Sequence, residues 1–231
     1  MELLTELEAA LPVAAAFRQS FTPGEMGALP FIWTGYRAEE RYTYRLEDLT
    51  SEEVLWAGMS GRARSEIRKA QGRVEVRDDL GLDRVQAVWA KTFARQGLRA
   101  PEHSSLERIE EACAPRGAWT ALFAVDEQDR VHAAVYVVHG GGVAYYLVGG
   151  GDPALRSSGA GSLLLWTAVM RMREHCRVFD FEGSMIAPVE RFFRSFGGNQ
   201  VPYLRVSRAT TTATLALRTR AAANQLLRRW V

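Results

Sequence analysis

The run Arg156-Ser-Ser-Gly159-Ala-Gly161 joins a β-like stretch to a helical one and has the composition of an anion cradle. Small side chains let backbone N–H groups come close to a pyrophosphate. The start of the following helix adds a positive dipole, and Arg156 adds a charge-assisted contact. Arg156, Ser157, Ser158, Gly159, Ala160 and Gly161, with Val148 and Gly149 just upstream, are therefore the candidate cofactor-binding residues. A plain tight turn before a helix would also account for two glycines, so the loop alone does not decide. Asp180 and Glu182 stand two apart in a β-like run, and on a strand they would share a face. A carboxylate so placed can take a proton from an ammonium group, which attacks only when neutral; a pair of structural acids is the alternative.

Other chemistry-bearing residues are less pointed. Arg62, Arg64, Arg68 and Lys69 form a cationic helix face, either solvated or gripping phosphates. Tyr145 and Tyr146 must point to opposite faces of a strand, one toward a bound carrier and one toward the core, or both into packing. His103, His132, His139 and His175 are scattered without metal-ligand spacing, and no metal is expected. Ser157 and Ser158 lack the Gly-x-Ser-x-Gly setting of a serine nucleophile.

The elements that must position these residues follow from periodicity and punctuation. Residues 1–35 predict a short helix and an irregular arm broken by Pro12, Pro23, Gly24, Gly27 and Pro30. Tyr42–Leu46 predicts a strand. Thr50-x-x-Glu53 predicts a capping box opening a helix with Val54, Leu55 and Met59 inward. The basic stretch 62–69 continues helical, 73–77 predicts a strand, and 83–96 a helix ended by Gly97. Ser104-x-x-Glu107 predicts a second capping box, with Gly117 closing that region. Trp119–Val125, Val131–Val138 and Val143–Val148 predict three hairpin-linked strands. A loop over Gly149–Pro153, a long helix over 162–175, a short strand over 177–181, a helix over 188–196 and a strand over 201–206 complete the order. Trp33, Trp56, Trp89 and Trp166 fall on apolar faces and are expected in the core.

The bulk numbers bound these expectations. The chain has 231 residues, 47% of them apolar, enough for one large core with at most a partial second module. A formal charge of +2 permits an anionic ligand without demanding nucleic acid. Two cysteines, Cys113 and Cys176, make neither a disulfide scaffold nor a zinc site. The acidic start lacks the features of a signal peptide, and no apolar run approaches the ~18 residues of a membrane span. A cytoplasmic setting is the expectation.

The Arg-x-x-Gly-x-Gly string, lying after three antiparallel strands and before a helix and a strand, resembles the acyl-CoA pyrophosphate loop of GNAT acetyltransferases. Phe193-Arg-Ser-Phe-Gly197, following Phe179-Asp-Phe-Glu-Gly-Ser184, resembles the part that completes that fold. The resemblance puts at Phe193 a position that often holds the tyrosine protonating a leaving thiolate. Phe193 has no hydroxyl, so a group such as Tyr203 or Ser184 supplies the proton, or the leaving group is not a thiolate. Phe31-Ile-Trp-Thr-Gly-Tyr36, Arg41-Tyr-Thr-Tyr44, Arg64-Ser-Glu-Ile-Arg-Lys-Ala70 and the Asp180-Phe-x-Gly string resemble the Fem-like branch over roughly residues 30–208.

That resemblance implies an α/β fold with a GNAT-like mixed, mostly antiparallel central sheet flanked by helices. It implies an N-acyltransferase moving an acyl group from acyl-CoA or acetyl-CoA to a primary amine on a small molecule or peptide, with Glu182, Asp180 and Tyr203 as catalytic candidates. Aminoacyl-tRNA as donor, for peptide-bond formation, is the alternative, and a non-catalytic partner subunit the third reading. The domain expectation is an N-terminal arm or remnant of a first module over 1–40, the acyltransferase domain over 41–208, and a basic C-terminal helix over 209–231. Fem-like enzymes usually carry two such modules, so a homodimer or partner module is a further expectation.

Overall fold

The computed structural model describes residues 2–11, 14–24, 27–95, 103–183 and 185–211. The chain divides into two compact units, one of residues 1–43 with 200–231 and the other of residues 44–199. The expected C-terminal helix, Gly97 and Ser184 lie outside the described residues.

The first unit holds helix α1 (Glu2–Ala9), strand β1 (Ala16–Ser20), helix α2 (Leu29–Trp33), most of strand β2 (Arg37–Leu46) and strand β8 (Asn199–Ala209). The stretch expected to be an irregular arm thus contains a strand. β1 pairs antiparallel with β8 from Ala16↔Ala209 to Ser20↔Arg205, and that distant pairing, rather than any local pattern, makes Ala16–Ser20 extended. Phe31, Tyr36 and Val206 centre its core, with Phe17 packed edge-on against Tyr36. Trp33, expected in the core, is 69% exposed.

The second unit is a sheet covered on both faces. Its order is the end of β2, then β7 (Val178–Asp180), β6 (Val143–Gly151), β5 (Val131–Gly140), β4 (Trp119–Val125) and β3 (Glu75–Arg77). All these pairings are antiparallel except β6 with β7, so the sheet is mixed and mostly antiparallel. Alternation along β4 sends Leu122 and Ala124 to one face and Ala121, Phe123 and Val125 to the other. The first face is covered by α3 (Glu52–Gly58), α4 (Gly61–Gln71) and α7 (Ala160–Met172), through Ile67, Leu164 and Val169 among others. The second is covered by α5 (Leu82–Arg95) and α6 (His103–Cys113), through Val85, Val88 and Leu106. α7 is apolar nearly all round and is correspondingly buried. The last helix is α8 (Ala187–Arg194).

Several local expectations shift. The cap of α3 is Ser51, not Thr50: its hydroxyl accepts the Val54 N–H at 3.2 Å, while the Thr50 N–H is taken by Asp48. Val54 consequently faces solvent at 70% exposure, and Leu55 and Met59 turn inward. The basic helix α4 is separate, restarted by a second cap at Ser60. Ser104 lies inside α6 rather than capping it. The loop expected from Gly149 begins only after Gly151, because Gly149, Gly150 and Gly151 pair with Val135, Ala134 and Ala133.

Candidate active site

The parallel ladder between β6 and β7 has only three pairs, Val143↔Val178, Ala144↔Phe179 and Tyr145↔Asp180. β6 continues to Gly151 on its β5 side, whereas β7 stops at Asp180. The two strands therefore bound a wedge whose vertex is the Tyr145–Asp180 pair. Just past the vertex the β5–β6 register shifts, Tyr146 opposing Val137 and Val148 opposing Tyr136, so Leu147 is a bulge. Residues two apart on a regular strand share a face. Here Tyr146 packs on the α7 side and Val148 on the α5–α6 side. Ala144 and Tyr146 both pack on the α7 side, with Tyr145 between them along the strand.

A cavity of about 420 Å³ lies along this wedge, lined by Tyr146, Gly149, Arg156, Gly161, Val189 and Phe193 among others. Of the residues expected to hold a cofactor, Gly149, Arg156, Ser158, Ala160 and Gly161 border it. Ser157 borders a second cleft, and the Val148 side chain turns away into the α5–α6 core. Arg156–Ser158 is a single 3₁₀ turn, and Gly159 follows with a φ of 83°. A β-carbon on Gly159 would run into the Glu66 carbonyl oxygen. Its smallness therefore docks the turn on α4, rather than clearing room for a ligand as the spacing suggested. Gly161 is the open one, with nothing within 4 Å of an added β-carbon. Ser158 is buried and accepts the Ala160 N–H at 3.3 Å; α7 has no other side-chain cap.

Phe193 is 4% exposed, stacked on Phe181 with centroids 5.6 Å apart and edge-on to Tyr146 at 5.5 Å. The phenol of this cavity is thus Tyr146, and burial pushes its pKa up. Sequence reasoning left one of Tyr145 and Tyr146 toward a carrier or both in packing, because only the bulge and α8 together bring Tyr146 beside Phe193. Thr92 and His132 also line the cavity, and neither carries a local signal of it.

Asp180 is 2% exposed and lies across from Arg45 and Tyr145. Its carboxylate meets Arg45 Nε at 3.5 Å and accepts the Glu182 N–H at 2.8 Å. Glu182 is past the strand end with a φ of 58°, so the two acids are not alternate residues of one strand face, contrary to the spacing argument. Glu182 reaches the surface, yet its carboxyl lies over packed protein. That desolvation, and next the charge of Asp180, raises its pKa. Neither acid borders the cavity; both stand on the β7 limb of the wedge. Tyr203 is on β8, in the other unit.

The cationic face of α4 splits into two pairs. Arg64 is spent on the Trp56, Ala57 and Met59 carbonyls, and Arg68 lies over the Trp56 ring at 5.4 Å. Arg62 and Lys69 line the second cleft, about 600 Å³, with Glu66, Arg156, Ser157 and Arg191. Among the described residues no group of histidine, cysteine and acidic side chains could hold a metal ion, and no helix is long and apolar enough to cross a membrane.

Residues 59–194 match the acetyltransferase (GNAT) domain family, which is more than half of the chain. No curated protein matches the sequence. Among solved structures the chain is similar to FemX (TM-score 0.64, 14% identity, covering 88% of this chain and 68% of that one). It is also similar to the C-terminal domain of a protein given as a lysylphosphatidylglycerol synthetase from Agrobacterium fabrum (TM-score 0.56, 16% identity, 83% and 68% covered). L-PGS from Bacillus licheniformis aligns with a TM-score of 0.54 at 11% identity, again with 83% and 68% covered. At these identities the likeness is one of fold, a GNAT fold of the Fem-like kind.

Proposed function

We propose, for a chain that belongs to the acetyltransferase (GNAT) domain family, that it transfers an acyl group from acyl-CoA to a primary amine. The observation that carries this reading is the wedge between β6 and β7, whose cavity runs from the bulge at Leu147 to Arg156 and the start of α7. An extended thioester arm fits such a slot, its sulfur end toward the vertex and its phosphates toward Arg156 and the uncapped N–H groups of α7. The interrupted ladder at Leu147 offers a backbone N–H to polarise the acyl carbonyl.

The amine nitrogen then bonds to the acyl carbon, the C–S bond breaks, and the amide forms. Glu182 takes the proton that the amine must lose. The thiolate takes a proton from the Tyr146 phenol, whose ring packs edge-on against the hydroxyl-free Phe193. Asp180 orients Glu182 through its backbone N–H and stays paired with Arg45.

The test is donor binding followed by thermal unfolding, comparing CoA with acetyl-CoA. A ligand at one hundred times its dissociation constant adds about 2.7 kcal/mol. Gly161→Leu places a side chain in open cavity and should abolish this stabilisation while leaving the unliganded protein within about 1 kcal/mol of wild type. Full stabilisation of the variant would remove the wedge as donor site. One observation favours a second reading, aminoacyl transfer from tRNA: Phe193 lacks the hydroxyl that a thiolate leaving group calls for. Stabilisation by aminoacylated tRNA, with none by CoA, would select it.

A further inference from the structure

The 600 Å³ cleft brings together Arg62 and Lys69 of α4, Arg156 of the 3₁₀ turn and Arg191 of α8, against one acid, Glu66. Glu66 faces Lys69 at 3.4 Å. Among the described residues Arg62, Arg156 and Arg191 have no carboxylate within ion-pair distance. Several arginines elsewhere are paired with carboxylates, Arg77 with Asp79, Arg130 with Asp126, Arg171 with Asp78, and Arg194, on the same helix as Arg191, with Glu190; others among the described residues, such as Arg116, have no such pair but do not line this cleft. Uncompensated cations converging in a concavity repel one another and favour an anion there. Hydroxyls of Ser157 and Ser162 add donors to the same walls, while the Ser195 hydroxyl is spent on the Phe192 carbonyl at 2.6 Å. The cleft shares Arg156, Pro188 and Phe192 with the wedge cavity, so a ligand lying in the wedge can pass Arg156 and enter it.

We propose that this cleft binds the nucleotide end of the donor through a phosphate beyond the one at Arg156, with Arg62, Lys69 and Arg191 as its ligands. The inference rests on the acyl-CoA reading and adds a second recognition point to it. The volume suits a mononucleotide, within the 300–1,000 Å³ range of small-ligand sites. Its excess of positive charge matches a carrier whose ribose bears its own phosphate.

The experiment is calorimetric titration of the full chain with CoA, dephospho-CoA, 4′-phosphopantetheine and an RNA hairpin ending in CCA. Wild type is compared with Arg62→Gln, Lys69→Gln, Arg191→Gln and, as a charge control, Arg116→Gln, an exposed arginine bonded only to the Ala112 carbonyl. Each cleft variant should weaken CoA about tenfold and leave phosphopantetheine unchanged, the loss of one charge-assisted bond. Arg116→Gln should bind CoA as wild type does, and dephospho-CoA should be insensitive to the three cleft substitutions. In turnover the three should raise KM with kcat kept. CoA binding equal to wild type in all three would overturn the inference while leaving the wedge reading intact. Equal losses for phosphopantetheine or for Arg116→Gln would also overturn it, as a diffuse charge effect. Tight binding of the hairpin that the three variants lose would replace it with a nucleic-acid site. Failure of wild type to bind either CoA or phosphopantetheine would sink the acyl-CoA reading itself.

Discussion

Glu182 holds a left-handed backbone that a side chain disfavours, and a carboxyl in surroundings that disfavour its charge. Strain of this kind, of the order of 1–3 kcal/mol, persists where the surrounding structure over-determines it, and functional sites are where it collects. Because folding raises this pKa, the native state binds more protons than the unfolded chain between the two values. Stability therefore falls as pH rises from the ordinary glutamate range through the folded value. Glu182→Gln should thus melt higher than wild type at neutral pH, and the difference should close at or below about pH 4. The same variant should lose roughly 10²–10⁴-fold in kcat with donor affinity kept, and with it the acid limb of the pH–rate profile, which in wild type should fall above the ordinary glutamate range. A higher Tm without loss of turnover would remove Glu182 as the base. Tyr146→Phe and Tyr203→Phe separate the two phenols: if Tyr146 returns the proton, only the first lowers kcat on thioester donors. The acids were legible as residues but not as geometry, because where β7 stops depends on its partners. Tyr146 was legible as one of two strand tyrosines, either of which could face a carrier, and not as the one that lines the cavity.

Among elements, the turn between β4 and β5 shows how one side chain fixes a hairpin. Asp126 accepts the N–H groups of Gln128 and Arg130, the Arg130 guanidinium at 2.8 Å and His132 Nε2 at 2.9 Å. The Arg130 bond first, then His132, holds its carboxyl far below the usual carboxylate range. Folding depresses this pKa, so its stabilisation is present above the ordinary aspartate range and is lost as pH falls below it. Asp126→Asn should lower Tm at pH 7, by a margin that shrinks in acid; circular dichroism melts across pH would show it, and a constant margin would refute it. Gly159→Ala should also destabilise, by about 1–3 kcal/mol, through its backbone angle and the Glu66 carbonyl, in contrast to the tolerated Gly161. The hairpin strands were readable because alternation is local. The bulge at Leu147 and the pairing of Gly149–Gly151 were not, since each is decided by a partner strand, and the shift from Thr50 to Ser51 as cap turns on the local bond by which Asp48 takes the Thr50 N–H.

At the scale of the molecule, the sheet unit of residues 44–199 contains the wedge, both cavities and every candidate residue except Tyr203. The fold class was legible there because strand, loop and helix signals agreed over a long stretch. The other unit joins two ends of the chain, and β1 in particular exists only through β8. A reading that moves along the chain has no access to such a pairing.

The glycine run at the end of β6 leaves a strand with no side chains past its bulge except Val148. Which face those positions present is then immaterial, and a residue can be gained or lost there without turning a packed side chain the wrong way. Each such change moves the Arg156 turn along the strand by one rise, about 3.3 Å. The end of β6 is in this sense an adjustable ruler. Its length sets the span between the wedge vertex and the cationic cleft, and so, if the wedge holds an acyl carrier as proposed, the length of carrier arm that a descendant of this chain would accept.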